Sequence, residues 1–262
     1  MLKLLKYEWK ACARTCLPLY GVLILMSFIS RILYVIPKNA SLDFMLPAIS
    51  SMLYMGVMMA AFVVTAVILI QRFYKKLLGS EGYLMFTLPV TVSQHLFSKT
   101  IIAVVMIGLS GLSALISIGI FADMSFGALF VDMIKGVARS GGLLFGLELL
   151  VLAVLGIAGM ALFLYMCIAL GHLASRHRLL MSIVWYVVLS TALQVLLLMV
   201  MMGVGNAVPQ PFVDWMKVWW SGITPIGAAH LMLRCCCVFA LISDAVYFLV
   251  TRWILVHKLN LE

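Results

Sequence analysis

The sequence predicts an all-α polytopic membrane protein: six transmembrane helices preceded by an amphipathic helix lying in the membrane interface. Three observations predict it. The 262-residue chain is 65% hydrophobic and only 10% charged, against about 45–50% apolar and about 25% charged residues in soluble domains. Its charges are bunched, and the runs between them are long enough to cross a hydrocarbon core, which takes about 20 mainly apolar residues. Lysine and arginine collect at alternate ends of those runs, as expected when the cytoplasmic side keeps the positive excess. Little chain is left over for a soluble domain.

Residues 1–16, MLKLLKYEWKACARTC, carry too many charges to span. At about 100° per residue, Lys3, Lys6, Lys10 and Arg14 share one arc, and Leu2, Leu5, Trp9, Cys12 and Cys16 share the next. Such a helix places its apolar stripe, Trp9 included, in lipid and its cations near anionic headgroups. The plainer reading is a positive anchor for the first span. A basic start before an apolar run also opens secretory signals, but no small-residue cleavage site follows, so the segment is expected to be retained.

Each unpaired charge at a helix centre costs roughly 2.5–3.5 kcal/mol, so charge-free stretches mark the spans. They fall at 17–36, 46–70, 100–121, 143–171, 179–204 and 230–251, making one transmembrane domain over 17–258. Twelve of the 18 basic residues, Lys3, Lys6, Lys10, Arg14, Arg72, Lys75, Lys76, Lys99, Arg176, Arg178, Arg252 and Lys258, lie on one side with Glu8, Glu81 and Glu262. That side is expected to be cytoplasmic and to hold both termini. On the other side Lys38, Lys135, Arg139 and Lys217 balance Asp43, Asp123, Asp132 and Asp214. The net charge of +9 therefore has a topological cause and points to lipid, not nucleic acid.

Within the spans, Gly142 and Gly146 make a GxxxG step continued by Ala153, Gly156 and Met160, and Gly108, Gly111, Ser113 and Ser117 form a second thin surface. Small residues let helices approach closely in lipid, either within the chain or between subunits. Arg31, Glu148 and Arg234 sit toward the outer ends of their spans, where Glu148 can pair with either arginine. Asp244 lies deeper, ten residues from Arg234, or roughly 15 Å along a helix, too far for direct pairing. An intramembrane carboxylate must pair, face water or take up a proton; a structural role and a substrate or proton contact both fit. The six cysteines, including the run Cys235, Cys236 and Cys237, lack metal-finger spacing and are expected to pack as apolar residues, leaving no metal and no cofactor in this chain.

The connection 71–99 is longer than a turn requires and holds Tyr83, Leu84, Met85, Phe86 and Leu88. An apolar patch rimmed by charge marks a protein contact. Gly79, Ser80 and Glu81 can end one helix and cap another, and Pro89 bars regular helix around it. A short transverse helix is expected, or else a segment lying flat on the membrane.

The stretches KLLKYEWKACAR and GSEGYLMFTLPVTVSQHLFSKT, in this order around two spans, resemble the small permease subunits of ABC-2-type exporters from Gram-positive bacteria; about 35 residues carry the likeness. The resemblance implies a bacterial plasma-membrane exporter of an amphipathic substrate, pairing with itself or a sister permease. It also implies a coupling helix seated in a separate ATP-binding subunit, formed here by Gly79, Ser80, Glu81, Gly82, Tyr83, Leu84, Phe86 and Pro89, with Glu81 and Tyr83 as foremost contacts. ATP and magnesium would belong to that partner, in keeping with the lack of a GxxxxGK[ST] phosphate loop. Short outer helices are implied within 205–229, where Pro209, Pro211 and Pro225 are expected to break regular helix and Trp215, Trp219 and Trp220 suit the aromatic belt; a simple interfacial loop fits equally. An intramembrane enzyme would need converging groups such as HExxH or paired aspartates, whereas this chain has one deep carboxylate and His172 and His177 at a helix end. A non-catalytic binding, immunity or sensor module differs from a permease only in the coupling loop.

Overall fold

A computed structural model describes residues 2–35, 45–74, 91–122, 131, 135–136, 142–173, 178–207, 211, 222 and 224–257. Its six long helices are α1 (Leu2–Val35), α2 (Met45–Phe73), α3 (Val92–Phe121), α4 (Leu143–Gly171), α5 (Arg178–Ala207) and α6 (Pro225–His257). Each is long and apolar enough to cross a membrane, and the described residues contain no strand. The chain is an all-α multi-pass membrane protein. It divides into two compact units, Met1–Arg139 and Ser140–Glu262.

The fourth span has the ends that its charge-free stretch predicts; the others run further, because a helix continues past the hydrocarbon wherever its backbone stays bonded. Residues 1–16 do not form a separate element: α1 runs unbroken through Pro18. The 71–99 connection is shortened at both ends by α2 and α3. Before α3, the Gln94 side chain accepts the backbone N–H of Thr91 at 3.3 Å, half of a capping box. Pro225, expected to break helix, starts one instead. Its missing N–H costs nothing in the first turn, and the hydroxyl of Thr224 before it accepts the N–H of Gly227 at 3.2 Å.

In the first unit α1 runs antiparallel to α2 and parallel to α3, a register set by polar contacts at successive depths. The Tyr20 hydroxyl donates to the Met106 carbonyl at 3.1 Å, with the Thr65 hydroxyl also 3.1 Å away. Further along, Ser30 donates to the Ser50 carbonyl at 3.1 Å and Tyr54 and Ser117 share a hydrogen bond of 2.5 Å. Leu23, Tyr54 and Ala61 form the apolar core, where Tyr54 stacks on Phe121 at 5.1 Å. Ser27, Ser110 and Ser113 are buried too, each hydroxyl donating to a carbonyl one turn back on its own helix. Leu25, Ile29, Met52 and Met59 face outward. This is the arrangement lipid favours, since apolar side chains gain nothing there by leaving the solvent. Cys12 and Cys16, read as part of the lipid-facing stripe, are buried instead: the face of α1 turned to its neighbours carries Glu8, Cys12 and Cys16, and Lys6, Trp9, Lys10 and Arg14 point away.

In the second unit α4 runs antiparallel to α5 and parallel to α6. Gly159 and Gly171 each meet a neighbouring helix closely. A Cβ on Gly171 would lie 2.6 Å from the Cα of Ser182, and one on Gly159 would overlap the carboxylate of Asp244. Among the described residues nothing lies within 4 Å of a Cβ placed on Gly108, Gly111 or Gly156. Gly142 precedes α4 with φ of 79°, a backbone state that L side chains rarely adopt. Large apolar side chains of α5, such as Leu196, Leu197 and Leu198, are exposed.

Two outcomes follow for the turn between α4 and α5. Gly171→Ala forces a methyl into the Ser182 backbone and is expected to cost about 1–3 kcal/mol in unfolding measured in lipid–detergent mixtures, with Gly156→Ala close to neutral. Burial, and then the neighbouring Arg178, hold the His172 imidazole below its ordinary range. Below about pH 6.5 the unfolded chain takes up a proton that the folded turn resists, so stability falls as the medium is acidified through that range. His172→Asn is expected to flatten this part of the stability profile.

Candidate functional site

Three sets of charged side chains stand inside this apolar frame. The first gathers one end of each helix in the first unit. Glu8 on α1 is buried, with its carboxylate oxygens 3.7 Å from Arg72 Nη1 at the end of α2 and 3.6 Å from Lys99 Nζ near the start of α3. Lys99 also donates to the Arg72 carbonyl at 3.3 Å, one of the last carbonyls of α2, which have no partner within their own helix. The second terminal nitrogen of Arg72 donates to the Ala11 carbonyl of α1. Side-chain exposures of 7% for Glu8, 23% for Arg72 and 5% for Lys99 leave these charges more to one another than to solvent.

The second set lies near the starts of α4 and α6. Glu148 accepts the Nε–H of Arg234 at 2.7 Å, and its other oxygen is 2.5 Å from Nδ1 of His230. One helical turn separates His230 from Arg234, so both meet the same carboxylate. The Phe145 ring sits edge-on to His230 at 5.6 Å. Of the two arginines open to Glu148 in the sequence, Arg234 is the partner; Arg31 donates to the Ile120 carbonyl in the first unit at 3.3 Å. Arg234 remains 64% exposed, so this clasp sits at an accessible surface, unlike the Glu8 set.

Asp244 is the third, near the middle of α6 and half-buried against Gly159. Along α6 it lies roughly 15 Å from Arg234 of the Glu148 set. No ion pair or hydrogen bond to its carboxylate is found among the described residues.

The coupling residues Gly79, Ser80, Glu81, Gly82, Tyr83, Leu84, Phe86 and Pro89 lie outside the described residues, as does most of the outer segment 205–229 and the side chain of Lys3. Sequence reasoning missed the Glu8 set. In the sequence Arg72 and Lys99 read as part of a positive border, and the clue to the set is a single acid inside the basic stretch KLLKYEWKACAR. His230 was missed as a partner of Glu148 for a similar reason, its spacing to Arg234 becoming meaningful only once α4 lies alongside. Cys12, Cys16 and Cys167 are buried as the apolar reading requires, whereas Cys235 and Cys236 face outward.

Compared with protein-family models, curated proteins and solved structures, the chain matches none.

The two ion sets are expected to respond differently to loss of their acid. Glu8→Gln strands two cations in a closed site and is expected to cost about 3–5 kcal/mol. Glu148→Gln leaves an exposed arginine free to reach headgroups, so its unfolding midpoint should stay close to that of the unsubstituted chain. Unfolding midpoints of the two variants in the same lipid mixture make the comparison.

Proposed function

We propose that this chain is the membrane-spanning permease subunit of an ATP-driven ABC-2-type transporter, exporting an amphipathic substrate across a bacterial cell membrane with both termini in the cytoplasm. The observation that carries this reading is the Glu8 set. It stands at the foot of the connection between α2 and α3, whose residues 79–89 are the coupling element of the sequence reading. Arg72 precedes that connection, Lys99 follows it, and both are held to α1 by one buried carboxylate. A push on the loop is then delivered to three helices together rather than spent in bending one. In this reading ATP and magnesium act in the partner ATP-binding subunit, the permease pairs with a second copy or a sister chain, and this chain does no chemistry of its own.

The test is affinity purification of the tagged chain from its native membrane, followed by ATPase assay of what accompanies it. An ATP-binding protein is expected to co-purify. Tyr83→Ala and Glu81→Ala should lower its recovery, while Glu8→Gln retains it but reduces ATP-dependent transport by about tenfold or more. Absence of an ATP-binding partner, or a partner indifferent to the loop, would leave a non-catalytic binding or immunity module as the better account.

A further inference from the structure

A carboxylate with a purely structural role in lipid needs a donor on a neighbouring helix. Asp244 instead meets Gly159, whose backbone N–H lies inside α4 and is committed to helix bonding. His230 and Arg234 are both held by Glu148, and along α6 Arg234 and Arg252 lie roughly 15 and 12 Å from Asp244.

Aromatic rings continue the same seam. Asp244 and Tyr247 share a face of α6, and Gly159 and Phe163 share the opposing face of α4. The Tyr247 ring lies 5.4 Å from Phe163, and Phe163 lies 5.7 Å from Tyr186 on α5, each pair inclined at 60°. Three helices thus bring a carboxylate and three rings together along one seam. Asp244, Phe163 and Tyr247 are half-buried and Tyr186 is exposed, so the seam can be reached from outside the unit.

We propose that this seam is a binding site for a lipophilic organic cation, an ammonium or similar centre on an apolar body. The carboxylate supplies the opposite charge, and the ring faces attract a cation through their quadrupoles. The apolar walls of the helices accept the body of the ligand, and the same carboxylate repels anions. A bare metal ion is poorly served, since one carboxylate falls short of the six or more oxygens that calcium takes. As a transport site this names the substrate class and rests on the permease reading; as a binding site it needs this chain alone.

The test uses the full chain in nanodiscs of zwitterionic lipid, with tetraphenylphosphonium as probe and tetraphenylborate as an anion of nearly the same shape, each corrected for empty discs. Saturable binding of the cation and none of the borate is expected, about tenfold weaker in Asp244→Asn and about threefold weaker in Tyr247→Leu and Tyr186→Leu. Thermal unfolding identifies any variant that has lost its fold, and the two tyrosine variants, on different helices, decide the matter if Asp244→Asn is one of them. Lack of saturable binding by the wild-type chain, or undiminished binding by the folded variants, overturns the site. Cation binding without any ATP-binding partner would instead keep the site and remove the permease reading.

Discussion

The first unit depends on the buried carboxylate of Glu8. Lipid gives helices no hydrophobic reason to associate, so something else must bring α1, α2 and α3 to a common register. Serine and tyrosine hydroxyls do this in the body of the unit, and there a slip of one turn would exchange one carbonyl acceptor for another. At the Glu8 end no such exchange is available. Arg72 and Lys99 are largely withdrawn from solvent, and the observed register supplies them with the Glu8 counter-charge and with the Ala11 and Arg72 carbonyls.

The second unit relies on different physics. At the Gly171 turn α4 and α5 approach until a glycine on one faces the backbone of Ser182 on the other, and dispersion over close surfaces does the work. The Glu148 clasp then joins α4 to α6 at their starts. Glu148 also occupies His230 and Arg234 of α6, and Asp244 is a carboxylate unmatched among the described residues.

The fold was legible because membrane insertion writes itself into composition: the 143–171 stretch marks α4 from end to end, and all six helices stand where charge is missing. Helix ends were less legible. Residues such as Lys6, Arg72 and Lys99 belong to helices that outrun the hydrocarbon, and a rule based on charge stops short of them. Pro225 was read as a break because sequence alone does not say on which side of a proline the helix lies. Pairings were the least legible. Glu8 is separated from Lys99 by two spans, and nothing in the intervening chain fixes the depth at which α1 meets α3. The Gly159–Asp244 contact was hidden likewise, since spacing along α4 does not show which glycine a side chain of α6 approaches.

If force enters this chain through the connection between α2 and α3, Glu8 is the residue through which α1 feels it. That role requires the carboxylate to interact energetically with both sides of the connection, not merely to lie near them. The most direct measurement is a double-mutant cycle on unfolding in lipid, combining Glu8→Gln with Lys99→Met. A coupling of at least about 1.5 kcal/mol is what a buried, mutually dependent set predicts. Effects that add to within about 0.5 kcal/mol would mean that the two groups act independently and that the first unit is held together by something else.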